Sequence, residues 1–180
     1  MKRSLPVRAF VLGLVLVITS LGAQAAPSQL DTDARAALNA LYESSPAAKA
    51  LGAQAKAILV FPDVKKAALI LGGQGGDGVM FQNGRVAGHY SLGGLQIGFE
   101  AGAQAFAYAM FFMSDRALAD LRADRGFEIG ADPNIVFVDA GAAAQVTTAT
   151  VQPDVYTYVF SQKGLMGGLS LQGTKITRQN

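Results

Sequence analysis

The hydrophobic and polar positions change period along the chain. Leu30, Ala34, Ala37, Leu38, Leu41 and Tyr42 return at helical spacing and predict an amphipathic helix. Asp31-Thr-Asp-Ala supplies the short polar and acidic residues of its first turn. Ser45-Pro46 restarts a helix that should run to about Lys56, with Ser as cap and Pro at the first helical position. Ser114-Asp115 has the same character and predicts a short helix near residues 114–123.

Elsewhere after Ala57 the pattern is that of strands. Ala57–Phe61 is an apolar run ended by Pro62, and Ala67–Leu71 follows Lys65-Lys66. Val79–Gln82 and Arg85–Tyr90 flank Asn83-Gly84, a two-residue hairpin signal. Further runs cover Leu95–Phe99, Ala105–Met113, Ile135–Asp139, Ala144–Val151, Val155–Ser161 and Gly168–Ile176. In the run from Tyr156, the residues Tyr156, Tyr158 and Phe160 share one face, and Thr157, Val159 and Ser161 the other. The pattern predicts an α+β fold: a predominantly antiparallel β-sheet, sandwich or barrel-like, with N-terminal helices and one short central helix.

The first 25 residues read as a signal peptide rather than as part of this domain. MKRSLPVR is a basic start, AFVLGLVLVITSLGA an apolar core, and Ala23-Gln24-Ala25 a small-x-small cleavage site. The apolar run, broken by Thr19 and Ser20, is short of the roughly 20 residues a membrane span needs. The expectation is a chain cut near Ala25-Ala26, exported to the periplasm or secreted, with residues 26–180 as one domain. Removing Lys2, Arg3 and Arg8 changes the charge: 12 basic residues then face 13 acidic ones. That balance is not the basic one of nucleic-acid binding. There is no cysteine, which excludes disulfides, thiolate metal sites, a cysteine nucleophile and a lipid anchor on cysteine.

Candidate chemistry is sparse. Gly73, Gly75 and Gly78 spell GxGxxG, but Val79-Met-Phe-Gln and a hairpin follow where a dinucleotide site needs a helix. The segment reads instead as a tight glycine connection between strands. His89 is the only histidine; a triad would need a serine and an acid such as Asp139, and no serine lies in a GxSxG elbow. No HExxH or paired acidic motif is present, so no catalytic residue, metal site or cofactor is expected. Lys65, Lys66, Lys163 and Arg85, with Lys56 upstream, are the cations that could converge on an anionic headgroup, though scattered lysines are more often simply solvated.

Several segments, in order, resemble the SYLF domain family of lipid-binding and actin-regulating proteins. They are Ala55-Lys-Ala-Ile-Leu-Val-Phe-Pro62, Leu71-Gly-Gly-Gln-Gly-Gly-Asp-Gly-Val79, Tyr90-Ser-Leu-Gly-Gly-Leu-Gln-Ile-Gly98, Phe111-Phe-Met-Ser-Asp-Arg-Ala-Leu118, Glu128-Ile-Gly-Ala-Asp132 and Tyr158 to Gly173. The resemblance spans roughly Lys49 to Ile176 and implies a non-catalytic domain that binds phospholipid through anionic headgroups of phosphoinositide type. Eukaryotic relatives also contact actin, and bacterial relatives are exported. Lys163 matches the family's "SkG" lysine and is the leading headgroup contact that the resemblance implies. The alternative is a structural or protein-partner-binding envelope protein without lipid affinity. Expected partners are therefore membrane phospholipid and a protein, and not nucleic acid.

Overall fold

The structure, a computed structural model, describes residues 28–68, 71–97, 102–123, 127–129, 135–139, 153–164 and 174–179. The expected signal segment, the run Ala144–Val151 and most of Gly168–Ile176 lie outside these residues.

Among the described residues three helices form where the capping residues start them. In α1 (Gln29–Ser44) the Ser28 hydroxyl accepts from the Asp31 N–H at 3.1 Å, and the Asp31 carboxylate accepts from the Ser28 N–H at 2.9 Å. This capping box puts the start before Asp31, because the acid is the third helical residue and not the first turn's opener. In α2 (Pro46–Gln54) the Ser45 hydroxyl takes the Ala48 N–H, and in α3 (Asp115–Arg122) Ser114 does the same for Ala117.

The strands are β1 (Ala57–Ala68), β2 (Leu71–Gln82), β3 (Arg85–Ile97), β4 (Gly102–Phe112), β5 (Phe127–Ile129), β6 (Ile135–Asp139), β7 (Val155–Gly164) and β8 (Thr174–Arg178). They make one sheet in the order β5-β8-β3-β2-β1-β4-β7-β6, antiparallel throughout except for β6 beside β7. Asn83 and Gly84, both at positive φ, make the expected two-residue turn between β2 and β3.

The strands are longer than the apolar runs predicted. Pro62 does not end β1: the register slips by one between Phe61 and Val64, and the strand continues to Ala68. Arg85–Tyr90 and Leu95 onward are one strand, bridged by Ser91–Gly94. The glycines between Gly72 and Gly78 are not a connection but the body of β2, paired with β3 throughout and with β1 from Gly72 to Gly75, beyond which the β1 bulge interrupts the register. Close packing requires two of them, Gly76 and Gly78. A Cβ on Gly78 would lie 2.5 Å from the Phe61 ring, and one on Gly76 would lie 2.7 Å from the Asp63 carbonyl oxygen in the β1 bulge.

The sheet curls. Phe112 of β4 and Phe127 of β5 stand five strands apart in sheet order, yet their ring centroids are 6.1 Å apart. Inside the curl lie Leu59, Phe61, Val64, Met80, Leu92, Phe106, Tyr108, Met110 and Ile176, with Leu118 and Leu121 of α3. On the outer face α1 and α2 cover a second core, in which Ala34, Leu38, Leu41 and Ala48 meet Val60, Val79, Phe81, Ala109, Phe111, Tyr158 and Phe160. The result is a half-barrel with α1 and α2 on its outside, in line with the α+β, barrel-like expectation.

Candidate functional site

The helices cover only the half of the outer face nearest the β2–β3 hairpin. Beyond them, register places one residue from each of six strands in a single row: Lys175 (β8), Gly93 (β3), Gly75 (β2), Lys65 (β1), Ala105 (β4) and Lys163 (β7). Lys65, Lys163 and Lys175 are exposed. With strands about 4.8 Å apart, Lys65 stands roughly 10 Å from Lys163 and 14 Å from Lys175 along the sheet. Between the cations the floor is bare backbone. A Cβ on Gly93 would meet nothing within 4 Å. The open depression above it, about 590 Å³, is lined by Lys65, Ala67, Gly73, Gln74, Gly75, Gly93, Gly94 and Leu95.

Two bulges put the lysines on this face. Phe61 and Val64 both point inside the curl although they are three residues apart, so the slip at Pro62-Asp63 reverses the alternation after it. Lys65 therefore turns outward and Lys66 inward. In β7 the register slips again opposite Ala105 to Ala107, where Ser161 has a φ of +54°. Phe160 packs under the helices, and Lys163, three residues on, faces out beside Ala105. Lys163 thus belongs to strand β7.

The expected lysine cluster is accordingly divided. Lys65 and Lys163 are brought together. Lys66 is only 2 % exposed and lies inside the curl, in a row with Gln74, Gln104 and Thr174, all buried; Gln74 donates to the Thr174 hydroxyl. A side chain so enclosed does not meet a headgroup at the surface. Arg85 is exposed at the hairpin, eight residues along β3 from Gly93 and hence about 25 Å away. Lys56 pairs with Asp115 at the start of α3, at that same far end, at 2.8 Å. Lys175 was not anticipated; only its register partner Gly93 reveals it.

Carboxylates modulate this charge. Asp63 is 3.4 Å from Lys65, and Glu128 of β5 stands directly opposite Lys175. One row nearer the helices, Asp77 accepts from Ser91 at 3.0 Å and from the Gln179 amide at 2.7 Å.

His89 lies under the start of α1. Its Nε2 is 2.8 Å from the Asp31 carboxylate, which also accepts from the Ser28 N–H. Its acid is therefore Asp31 and not Asp139, which is paired with Val159 in β7. The arrangement fastens α1 to β3. Arg35 adds a second fastening, donating to the Gly84 carbonyl at 3.3 Å with its guanidinium 4.9 Å from the Phe81 ring centroid. Among the described residues no group of three or more His, Cys, Asp or Glu could hold a metal ion, and no helix is long and apolar enough to cross a membrane.

Residues 93–180 match the family model described as Ysc84, Las17-binding protein actin regulator. The match begins at Gly93, within the row of lysines, and takes in β4, α3, Lys163 and Lys175. No curated protein matches the chain.

Proposed function

We propose, from the premise that the chain belongs through residues 93–180 to the SYLF (Ysc84) family, that it is a non-catalytic domain of an exported envelope protein that binds anionic phospholipid headgroups. The observation that carries the reading is the row of exposed cations Lys65, Lys163 and Lys175 on a floor of glycine and alanine. Bare backbone lets a headgroup lie close, and its amides are fully committed to the sheet, so attraction comes from the ammonium groups. Each lysine near an anionic leaflet contributes about 1 kcal/mol, falling off within a Debye length.

The test is co-sedimentation with vesicles of phosphatidylcholine, alone or mixed with equal parts of phosphatidylglycerol, at low and moderate salt. Binding should need the anionic lipid and weaken with salt. The triple variant Lys65→Glu, Lys163→Glu, Lys175→Glu should lose at least about a hundredfold in partition, as three lysine contributions of about 1 kcal/mol imply. Arg85→Glu should bind as the parent does. Unchanged binding by the triple variant removes the site.

A second reading rests on the family description, which names a Las17-binding protein and an actin regulator. On that reading the same open face would take a protein partner. Absence of sedimentation with any vesicle, together with capture of a defined partner that the triple variant fails to hold, would favour it.

A further inference from the structure

The lysine row is one layer in an ordered series along the strands. Nearest the helices lies the row of Asp77, Ser91 and Thr177, with Gln179 against it. Two residues further along each strand comes the row of Lys65, Lys163 and Lys175. Two residues beyond that come Ala103 (β4), Ala67 (β1), Gly73 (β2) and Leu95 (β3), and then the strands end. Successive rows are about 6.6 Å apart. Leu95 is 79 % exposed, the most exposed large hydrophobic residue among those described. Ala67 and Ala103 beside it are exposed as well.

Acidic and polar, then cationic, then apolar is the order of layers that a protein meets on entering an anionic leaflet. From these layers we infer, on the reading of lipid binding above, that the sheet docks on the membrane end-on. Leu95 passes below the phosphates, the three lysines stand at phosphate depth, and Asp77 stays in water. A face-down orientation would press Asp77 into the same phosphate layer as the lysines, where like charge repels. End-on entry leaves Asp77 outside, while Asp63 beside Lys65 and Glu128 opposite Lys175 enter with the lysines as their neighbours in either orientation. It also takes Leu95 out of water, which favours binding by an amount that scales with the apolar area covered. The site therefore takes a lipid surface rather than a single soluble phosphate, because its apolar layer has no counterpart in a free anion.

The absence of tryptophan from the chain gives a direct test. The protein is expressed with its own N-terminal segment and purified as the cell processes it. Leu95→Trp and, separately, Thr177→Trp are titrated with vesicles of phosphatidylglycerol and phosphatidylcholine. Both sites are exposed, so each variant should keep the parent's circular dichroism. Emission from position 95 should shift to the blue and be quenched by lipids brominated near the headgroup end of the acyl chain. Emission from position 177 should not move. Leu95→Asp should weaken sedimentation about tenfold or more, the effect of withdrawing one large apolar side chain and adding a repelled charge. Sedimentation with no shift at position 95 overturns end-on insertion and leaves lipid binding by charge alone. Equal shifts at both positions also overturn it, in favour of face-down docking. No sedimentation of parent or variants overturns both the inference and the reading beneath it.

Discussion

Single residues decide how close the strands approach and how the first helix is held. Gly78 faces the Phe61 ring, so Gly78→Ala must displace an aromatic side chain buried inside the curl. The expected loss is about 1–3 kcal/mol, typical of overpacking, read from the urea midpoint; Phe61→Leu in the same chain should recover part of it. Asp31 carries a pH dependence. Burial raises its pKa, but the hydrogen bond with His89 and the backbone and hydroxyl bonds with Ser28 outweigh burial and hold it below the ordinary aspartate range. A carboxyl depressed on folding stabilises the fold above its unfolded pKa, near 4, and that contribution fades as pH falls through the folded value. The stability gap between parent and Asp31→Asn should accordingly be widest at neutral pH and close as the solution is acidified below about pH 4. A gap independent of pH would mean that the Asp31 carboxylate does not fasten the helix.

At the scale of the element, bulges do most of what period alone could not show. The helix caps Ser45-Pro46 and Ser114, the Asn83-Gly84 turn and the two-faced strand from Val155 were legible, because each is set by neighbours in sequence. The β1 bulge was not, because Pro62 reads as an end to the strand when it is the point where alternation reverses. That reversal separates Lys65 from Lys66, so adjacency in sequence grouped two residues that lie on opposite faces. Lys175 escaped for the converse reason: it meets the row only through β3, over eighty residues earlier in the chain. The second bulge gives a prediction. Ser161 holds a φ of +54°, which costs a non-glycine residue roughly 1 kcal/mol and a β-branched one more. Ser161→Gly should leave stability within about 1 kcal/mol of the parent, and Ser161→Val should fall at least that far below the glycine variant in thermal melts. If glycine and valine prove equivalent, the left-handed bulge is not what turns Lys163 outward.

At the scale of the molecule, one sheet serves two cores. Val60 and Leu59 are neighbours in β1, yet Val60 packs under α1 and Leu59 inside the curl; Phe111 and Phe112 divide the same way in β4. Neither core can be dismantled without opening strands that the other needs. The chain should therefore unfold in a single transition, although α1 and α2 lie on the outside and the curl closes within. Leu38→Ala removes apolar volume from the outer core and Leu118→Ala from the inner one. Each should lower stability by about 2–5 kcal/mol, the usual cost of a buried leucine cavity. Far-ultraviolet circular dichroism follows the sheet and helices, and near-ultraviolet signal follows the buried tyrosines Tyr90, Tyr108 and Tyr158. With either variant the two signals should lose their midpoints together. If Leu38→Ala split the transition, with the helices melting before the tyrosine environment, α1 and α2 would be a separable cover. The outer face they leave bare would then extend from the lysine row down to Val79 and Phe111, and the exposed surface would change with the state of that cover.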